Sequence, residues 1–227
     1  PIPEYILPLD ADDIFPPHTL DHIYQAFTDN PDADFMYGNY IINNLDTKET
    51  EFIDCNDITS DGVIDVKKLI TNWKLLGTSP CKKKVWENAG GYSMKYSYSV
   101  QDVDFWIKAI RANSKGLYLN NLIYIWCRSA TGMNINFDRF DMTRLLNDQK
   151  EFYLQKYSPQ YLYNAIFEGY YPYKQKKDLV VFFMKKYFFN LNKLNKIRLI
   201  VFLFKNLFLP PKAYKLKAGI ASDTYDN

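Results

Sequence analysis

The chain reads as an α/β domain followed by an α-helical extension, and three observations carry that reading. Within residues 1–130, short β-branched and aromatic runs alternate with segments of helical period, the pattern of a sheet flanked by helices. Beyond about residue 135 the segments are helical in period with no strand-like run between them. The charge also divides: residues 1–150 hold 15 Lys+Arg against 21 Asp+Glu, whereas residues 151–227 hold 13 against 5. An acidic front and a basic tail point to different partners for the two parts.

Composition bounds the class. At 227 residues, 47% hydrophobic and 24% charged, the chain is globular, and it carries no collagenous, low-complexity or solenoid repeat. The longest apolar run near the C-terminus is residues 199–204. A bilayer-spanning helix needs about 20 such residues, so none is expected. The opening, PIPEYILPLD, lacks a basic segment followed by an apolar one. It starts without Met inside a strand-like run, which suggests the later part of a longer chain. Cys55, Cys81 and Cys127 are an odd number without CxxC spacing, so three partly buried thiols in a reducing compartment are expected, not a disulfide framework or a zinc site.

Residues 5–9 form a short apolar run that ends in Asp10-Ala11-Asp12-Asp13, read as a buried strand stopping at carboxylates. Pro16-Pro17 opens a helix to about Phe27, because proline is tolerated in a first helical turn. Residues 34–42 predict a strand, residues 43–46 a turn and residues 49–53 the returning strand of a hairpin. Ser60 or Asp61 is expected to cap a helix over 63–73, and a short helix over 82–88 should stop at Gly90-Gly91. Residues 99–112 predict a helix with a Ser99-x-x-Asp102 capping box and an apolar face of Val103, Trp106, Ile107 and Ile110. A strand over 117–126 follows. The extension reads as helices over 137–157, from Ser158-Pro159 onward, over 176–190 and over 193–209.

Asp10, Asp12 and Asp13 carry the sharpest chemistry. In an extended segment residues i and i+2 share a face, so Asp10 and Asp12 would point together just past the strand. Their mutual repulsion calls for an offset, which a hard divalent cation with oxygen ligands supplies directly. The simpler reading is that one aspartate caps the next helix and the others are solvated. Gly90-Gly91 alone reads as a helix C-cap and turn, Lys82-Lys83-Lys84 as a solvated helix face, and Trp86, Trp106 and Trp126 as core.

The order of these motifs adds a further expectation. DADD at 10–13, Asn88-Ala89-Gly90-Gly91-Tyr92 and Gln101-Asp102-Val103-Asp104-Phe105-Trp106, with about 90 residues from the first to the last, resemble family 2 glycosyltransferases of the GT-A fold. The resemblance covers roughly residues 4–134. It implies that residues 1–134 are the C-terminal, metal- and acceptor-side half of a GT-A-like Rossmannoid domain, with 135–227 as the basic helical extension. It implies a Mn²⁺ or Mg²⁺ ion held by Asp12 with Asp10 and Asp13, bridging the diphosphate of a nucleotide-sugar. Asp102 would be the catalytic base and Asp104 a supporting residue. Gly90, Gly91, Tyr92 and Gln101 would lie beside donor sugar and acceptor, and Arg128 would reach phosphate from the closing segment 122–134. The implied reaction is inverting transfer to a saccharide or lipid-linked acceptor, in polysaccharide or glycolipid synthesis.

The chain departs from the family in three places. The acid before the base is Gln101, the closing segment Trp126-Cys127-Arg128-Ser129 has no histidine, and the strand–helix pair that grips the nucleotide base would precede Pro1. These motivate an alternative, a truncated, non-catalytic glycosyltransferase-like binding domain. A metal-dependent phosphohydrolase is weaker, since no second acidic or histidine cluster has suitable spacing. The tail 174–217 interleaves lysines with the apolar clusters 179–184, 187–189 and 199–204. It reads either as a helical hairpin packed on the domain or as a helix pair on an anionic membrane surface. The station expected is cytoplasmic, peripheral on the inner face of the membrane. Nucleic acid is not an expected partner, because the basic residues sit among too many aliphatics.

Overall fold

The structure is a computed structural model of the chain, and it describes residues 4–96, 100–131, 139–159, 162, 184–185 and 188–208. The chain divides into two compact units, Pro1–Phe137 and Asp138–Asn227.

The first unit is a mixed α/β domain. Its elements run β1 (Tyr5–Ile6), α1 (Thr19–Asp29), β2 (Phe35–Asn44), β3 (Thr50–Ile53), a 3₁₀ turn (Asn56–Ile58), β4 (Thr59–Ser60), β5 (Val63–Ile64) and α2 (Val66–Thr71). They continue with β6 (Cys81–Lys82), α3 (Lys83–Ala89), a 3₁₀ turn (Met94–Tyr96), α4 (Gln101–Arg111) and β7 (Gly116–Arg128). The seven strands form one sheet in the order β1-β6-β2-β7-β5-β4, with β3 paired to β2. Its spine is the parallel pair β2 and β7, in register from Phe35 opposite Gly116 to Asn44 opposite Arg128, with a shift around Asn39. The flanking pairs β1–β6, β2–β6, β2–β3, β4–β5 and β5–β7 are antiparallel.

Both faces of the spine are covered, so residues Phe35–Tyr40 are buried without a break. Alternation sends Phe35 and Tyr37 into the larger core with Leu69, Val85, Phe105 and Trp106. Met36 points the other way, against Ile23 and Phe27 of α1. The ring of Trp106 lies 4.7 Å from that of Phe35, which fastens α4 to the spine. Such buried aromatic contacts are worth about 0.5–1.5 kcal/mol each beyond area burial.

Several expectations are corrected. The first strand ends at Ile6, and Ala11–Asp12 form a turn, so Asp10 and Asp12 do not lie on an extended segment. Asp61-Gly62 (φ 52° and 76°) is a hairpin turn between β4 and β5, not a helix start. Helix α2 begins later, capped by Asp65, whose carboxylate accepts from the Lys67 and Lys68 amides. Lys82 is a strand residue, whereas Lys83 and Lys84 do lie on the solvated face of α3, where they pair with Glu87 at 3.4 Å and Asp34 at 2.7 Å. Helix α4 starts at Gln101 with Val100 as its N-cap, so Asp102 sits one position too early for the predicted box. Ser99 lies outside the described residues.

The second unit holds α5 (Arg139–Asp148), α6 (Lys150–Tyr153), a 3₁₀ turn (Phe188–Asn190) and α7 (Lys193–Phe208). The single helix expected over 137–157 is broken at Gln149 (φ −103°, ψ 20°), whose amide still bonds to the Leu145 carbonyl while its own carbonyl accepts from Phe152. The helix expected from Ser158-Pro159 does begin there: Pro159 and Leu162 are helical, and the Leu162 amide donates to the Ser158 carbonyl at 3.1 Å. The rest of it and most of the helix expected over 176–190 lie outside the described residues. Among the described residues no helix is long and apolar enough to cross a membrane.

Candidate functional site

The acidic turn is tied to the end of β7. Ile14 and Ile125 exchange backbone hydrogen bonds, and Phe15 packs edge-on against Tyr124. The Asp13 carboxylate accepts from the Tyr124 hydroxyl and from the Cys127 amide, both at 2.7 Å. The same Tyr124 hydroxyl accepts from the Asp10 amide at 3.3 Å. Both oxygens of Asp13 therefore accept from protein donors, and Asp13 anchors the turn. Asp10 and Asp12 remain exposed. Partial burial and the neighbouring charge of Asp12 push the Asp10 carboxyl up from its usual range.

The second wall is a strap, residues 73–78, whose carbonyls are held by aromatic donors. The indole of Trp73 donates to the Leu75 carbonyl, that of Trp106 to Leu76, and the hydroxyl of Tyr92 to Gly77, each at 2.9 Å. Gly77 passes close to Asp102: a side-chain carbon there would stand 2.8 Å from the Asp102 Cβ and 3.2 Å from its Oδ2. Asp102, half-buried beneath the strap at the start of α4, has its carboxyl pushed up to about 6. Desolvation is the main cause and the charge of Asp10 adds to it, while bonds from the Val103 amide and its own amide oppose the rise.

Strap, acidic turn, α4 and the ends of β2 and β7 enclose a cleft of about 870 Å³. Asp10, Asp12, Asp13, Tyr92, Gln101, Asp102 and Arg128 all line it, although Asp10 and Arg128 lie near opposite ends of the first unit's sequence. Gly90 and Gly91 are not among its lining residues. Gly90 ends α3 in the left-handed conformation, and Gly91 (φ 65°) lies on the Trp86 indole, where a side-chain carbon would come within 3.1 Å of the ring. The pair thus turns Tyr92 into the cleft, where its ring also packs edge-on against Phe105. Arg128 stacks its guanidinium on Trp126 at 4.9 Å. Asp104 points away into the core and pairs with Lys108 at 2.5 Å. His18 and His22 are not among the cleft-lining residues.

Sequence reasoning missed Gly77, Tyr124 and Asp46, and treated Trp126 mainly as core; all four line the cleft. The lone glycine after Leu75-Leu76 was the one available signal for a close approach. Among the described residues no three His, Cys, Asp or Glu side chains are grouped as a metal site. Two carboxylates, Asp10 and Asp12, still fit a magnesium-like ion, which commonly takes one or two carboxylates and completes its shell with water and substrate phosphate. The cleft lining also includes the aromatic residues Trp73, Tyr92 and Trp126 beside the carboxylates. No protein-family model and no curated protein matches the chain.

Proposed function

We propose that the first unit is the metal- and acceptor-side part of a GT-A-like active site, catalysing inverting transfer of a sugar from a nucleotide-sugar to an acceptor hydroxyl. The observation that supports this most is that Asp102, with its carboxyl near 6, shares one cleft with Asp10 and Asp12. A base of that strength is mostly ionised at neutral pH. It nevertheless holds a proton about a hundredfold more tightly than an ordinary aspartate, which suits it to take the proton of an attacking hydroxyl.

Asp10 and Asp12 would hold Mn²⁺ or Mg²⁺, which when bound neutralises charge on the departing nucleoside diphosphate. Asp13 keeps those two carboxylates in place through Tyr124 and Cys127. Arg128, levelled by its stack on Trp126, offers a guanidinium to phosphate. Tyr92 and Gln101 border Asp102 and orient donor sugar and acceptor, the entropic share of the acceleration. Gly90 and Gly91 act indirectly, by directing Tyr92. The station we propose is cytoplasmic, with a saccharide or lipid-linked acceptor presented at the inner face of the membrane.

A second reading, a binding domain without turnover, draws on Gln101, an amide standing beside Asp102 where the resembled family carries an acid. Calorimetric titration of the protein with a panel of nucleoside diphosphate sugars, with and without Mn²⁺, followed by product analysis, separates the readings. Metal-dependent binding with transfer to an added acceptor is expected. Binding without turnover favours the second reading, and no binding of any donor removes the first.

A further inference from the structure

Helix α7 has two apolar faces where packing explains one. Its inner face buries Leu199 completely and Asn195 almost so, with Leu191 just before the helix. On the opposite side Leu194, Ile197, Ile200 and Val201 are 44–55% exposed. At 100° per residue these four positions span one arc centred opposite Asn195 and Leu199. Phe189, in the turn leading into the helix, is 88% exposed. A row of aliphatic side chains led by an exposed aromatic is not the surface of a solvated helix.

The charges around that arc have one sign. Lys193 and Arg198 are exposed, and Lys196 lies over the Phe188 ring while donating to the Phe189 carbonyl at 3.1 Å. The sequence of α7 contains no acidic residue. Residues 151–227 as a whole carry 13 basic against 5 acidic side chains. At 100° per residue Lys196 and Arg198 flank the arc on either side, while Lys193 falls on the arc itself at the helix's first turn. A basic edge on an apolar stripe complements a surface that is anionic outside and apolar within. A second copy of this helix would instead meet like charge, since its own rim is basic. Helix α7, at 16 residues, is also too short to span a bilayer, which needs about 20.

We infer that α7 and the preceding turn seat in the plane of a bilayer rich in anionic phospholipid. The Phe189–Val201 stripe enters the acyl boundary, and Lys193, Lys196 and Arg198 stay at the headgroups. The inference does not depend on the chemistry of the cleft, and its test uses no nucleotide-sugar. The intact protein is sedimented with vesicles of phosphatidylcholine alone and of phosphatidylcholine with phosphatidylserine. Three versions are compared: the natural protein, the triple variant Leu194→Ser, Ile197→Ser, Val201→Ser, and the double variant Lys193→Glu, Arg198→Glu.

The natural protein should pellet with serine-containing vesicles far more than with neutral ones, and added salt should release it. Each variant should partition at least about tenfold less onto the anionic vesicles. Because the substituted side chains are exposed, circular dichroism should stay unchanged, and the charge variant tests the inference even if the triple variant unfolds. Equal pelleting on neutral and anionic vesicles would overturn the inference, as would equal pelleting by natural and double-variant proteins. A natural protein that ignores vesicles but dimerises, with the triple variant monomeric, would assign the stripe to a second copy instead.

Discussion

Replacing Asp102 with Asn should make the protein more stable at neutral pH. The carboxyl is raised from an ordinary 3.8 to about 6, mainly by desolvation under the strap. Its pKa is then higher folded than unfolded, so the fold favours the protonated form. Stability from this group is full at low pH and is lost as pH rises from about 4 through about 6. Two pKa units correspond to roughly 3 kcal/mol, and the partial exposure of Asp102 brings the figure to about 2 kcal/mol. Asn carries no charge at any pH and keeps an oxygen to accept from the Val103 amide. The assay is denaturant or thermal unfolding of both proteins at pH 4.5 and 7.5. At pH 4.5 they should differ by less than about 1 kcal/mol. At pH 7.5 the Asn variant should lead by about 2 kcal/mol, or about 4–8 °C in Tm. A lead that does not grow with pH, or an Asn variant less stable at pH 7.5, would mean that the Asp102 carboxylate is not desolvated as the cleft geometry implies.

Other substitutions follow from the same geometry. Asp13→Ala leaves the Tyr124 hydroxyl and the Cys127 amide without their acceptor, and should cost about 1–3 kcal/mol in denaturant unfolding. Gly77→Ala drives a carbon into Asp102, and should cost about 1–3 kcal/mol and weaken any ligand bound in the cleft, measured by calorimetry. For an enzyme whose base is Asp102, kcat/KM should fall about tenfold per pH unit below about 6, read from a pH–rate profile; a flat profile from pH 5 to 8 would count against the base.

What could be read in the sequence was whatever is locally encoded and long. β2 and β7 announce themselves by β-branched and aromatic runs, and α4 by an apolar face at helical spacing. The hairpin of β4 and β5 was hidden because each strand has two residues, too few for a period. Its Asp61-Gly62 turn was nevertheless a local signal, overridden by reading Asp61 as a cap. The acidic turn was found by composition, but its shape was not. Its partners, Tyr124 and Cys127, lie more than a hundred residues away in sequence, Cys127 being 114 positions after Asp13, so no local pattern encodes the bend. The Asp102 carboxyl owes its shift to the packing of Gly77 from another loop, also beyond local spacing. Gly90-Gly91 was legible as a helix end, while the need for a bare Gly91 comes from Trp86 within the same turn and not from the cleft.

The most direct measurement is single-turnover transfer from a nucleotide-sugar that the protein binds, with donor affinity measured alongside, for the natural protein, Asp102→Asn and Asp12→Asn in the presence of Mn²⁺. Asp102→Asn should bind donor within about twofold of the natural protein and transfer at least about a hundredfold more slowly. Asp12→Asn should lose the metal-dependent part of donor binding. Transfer by Asp102→Asn at close to the natural rate would contradict the assignment of Asp102 as the base, and with it the catalytic reading of the cleft.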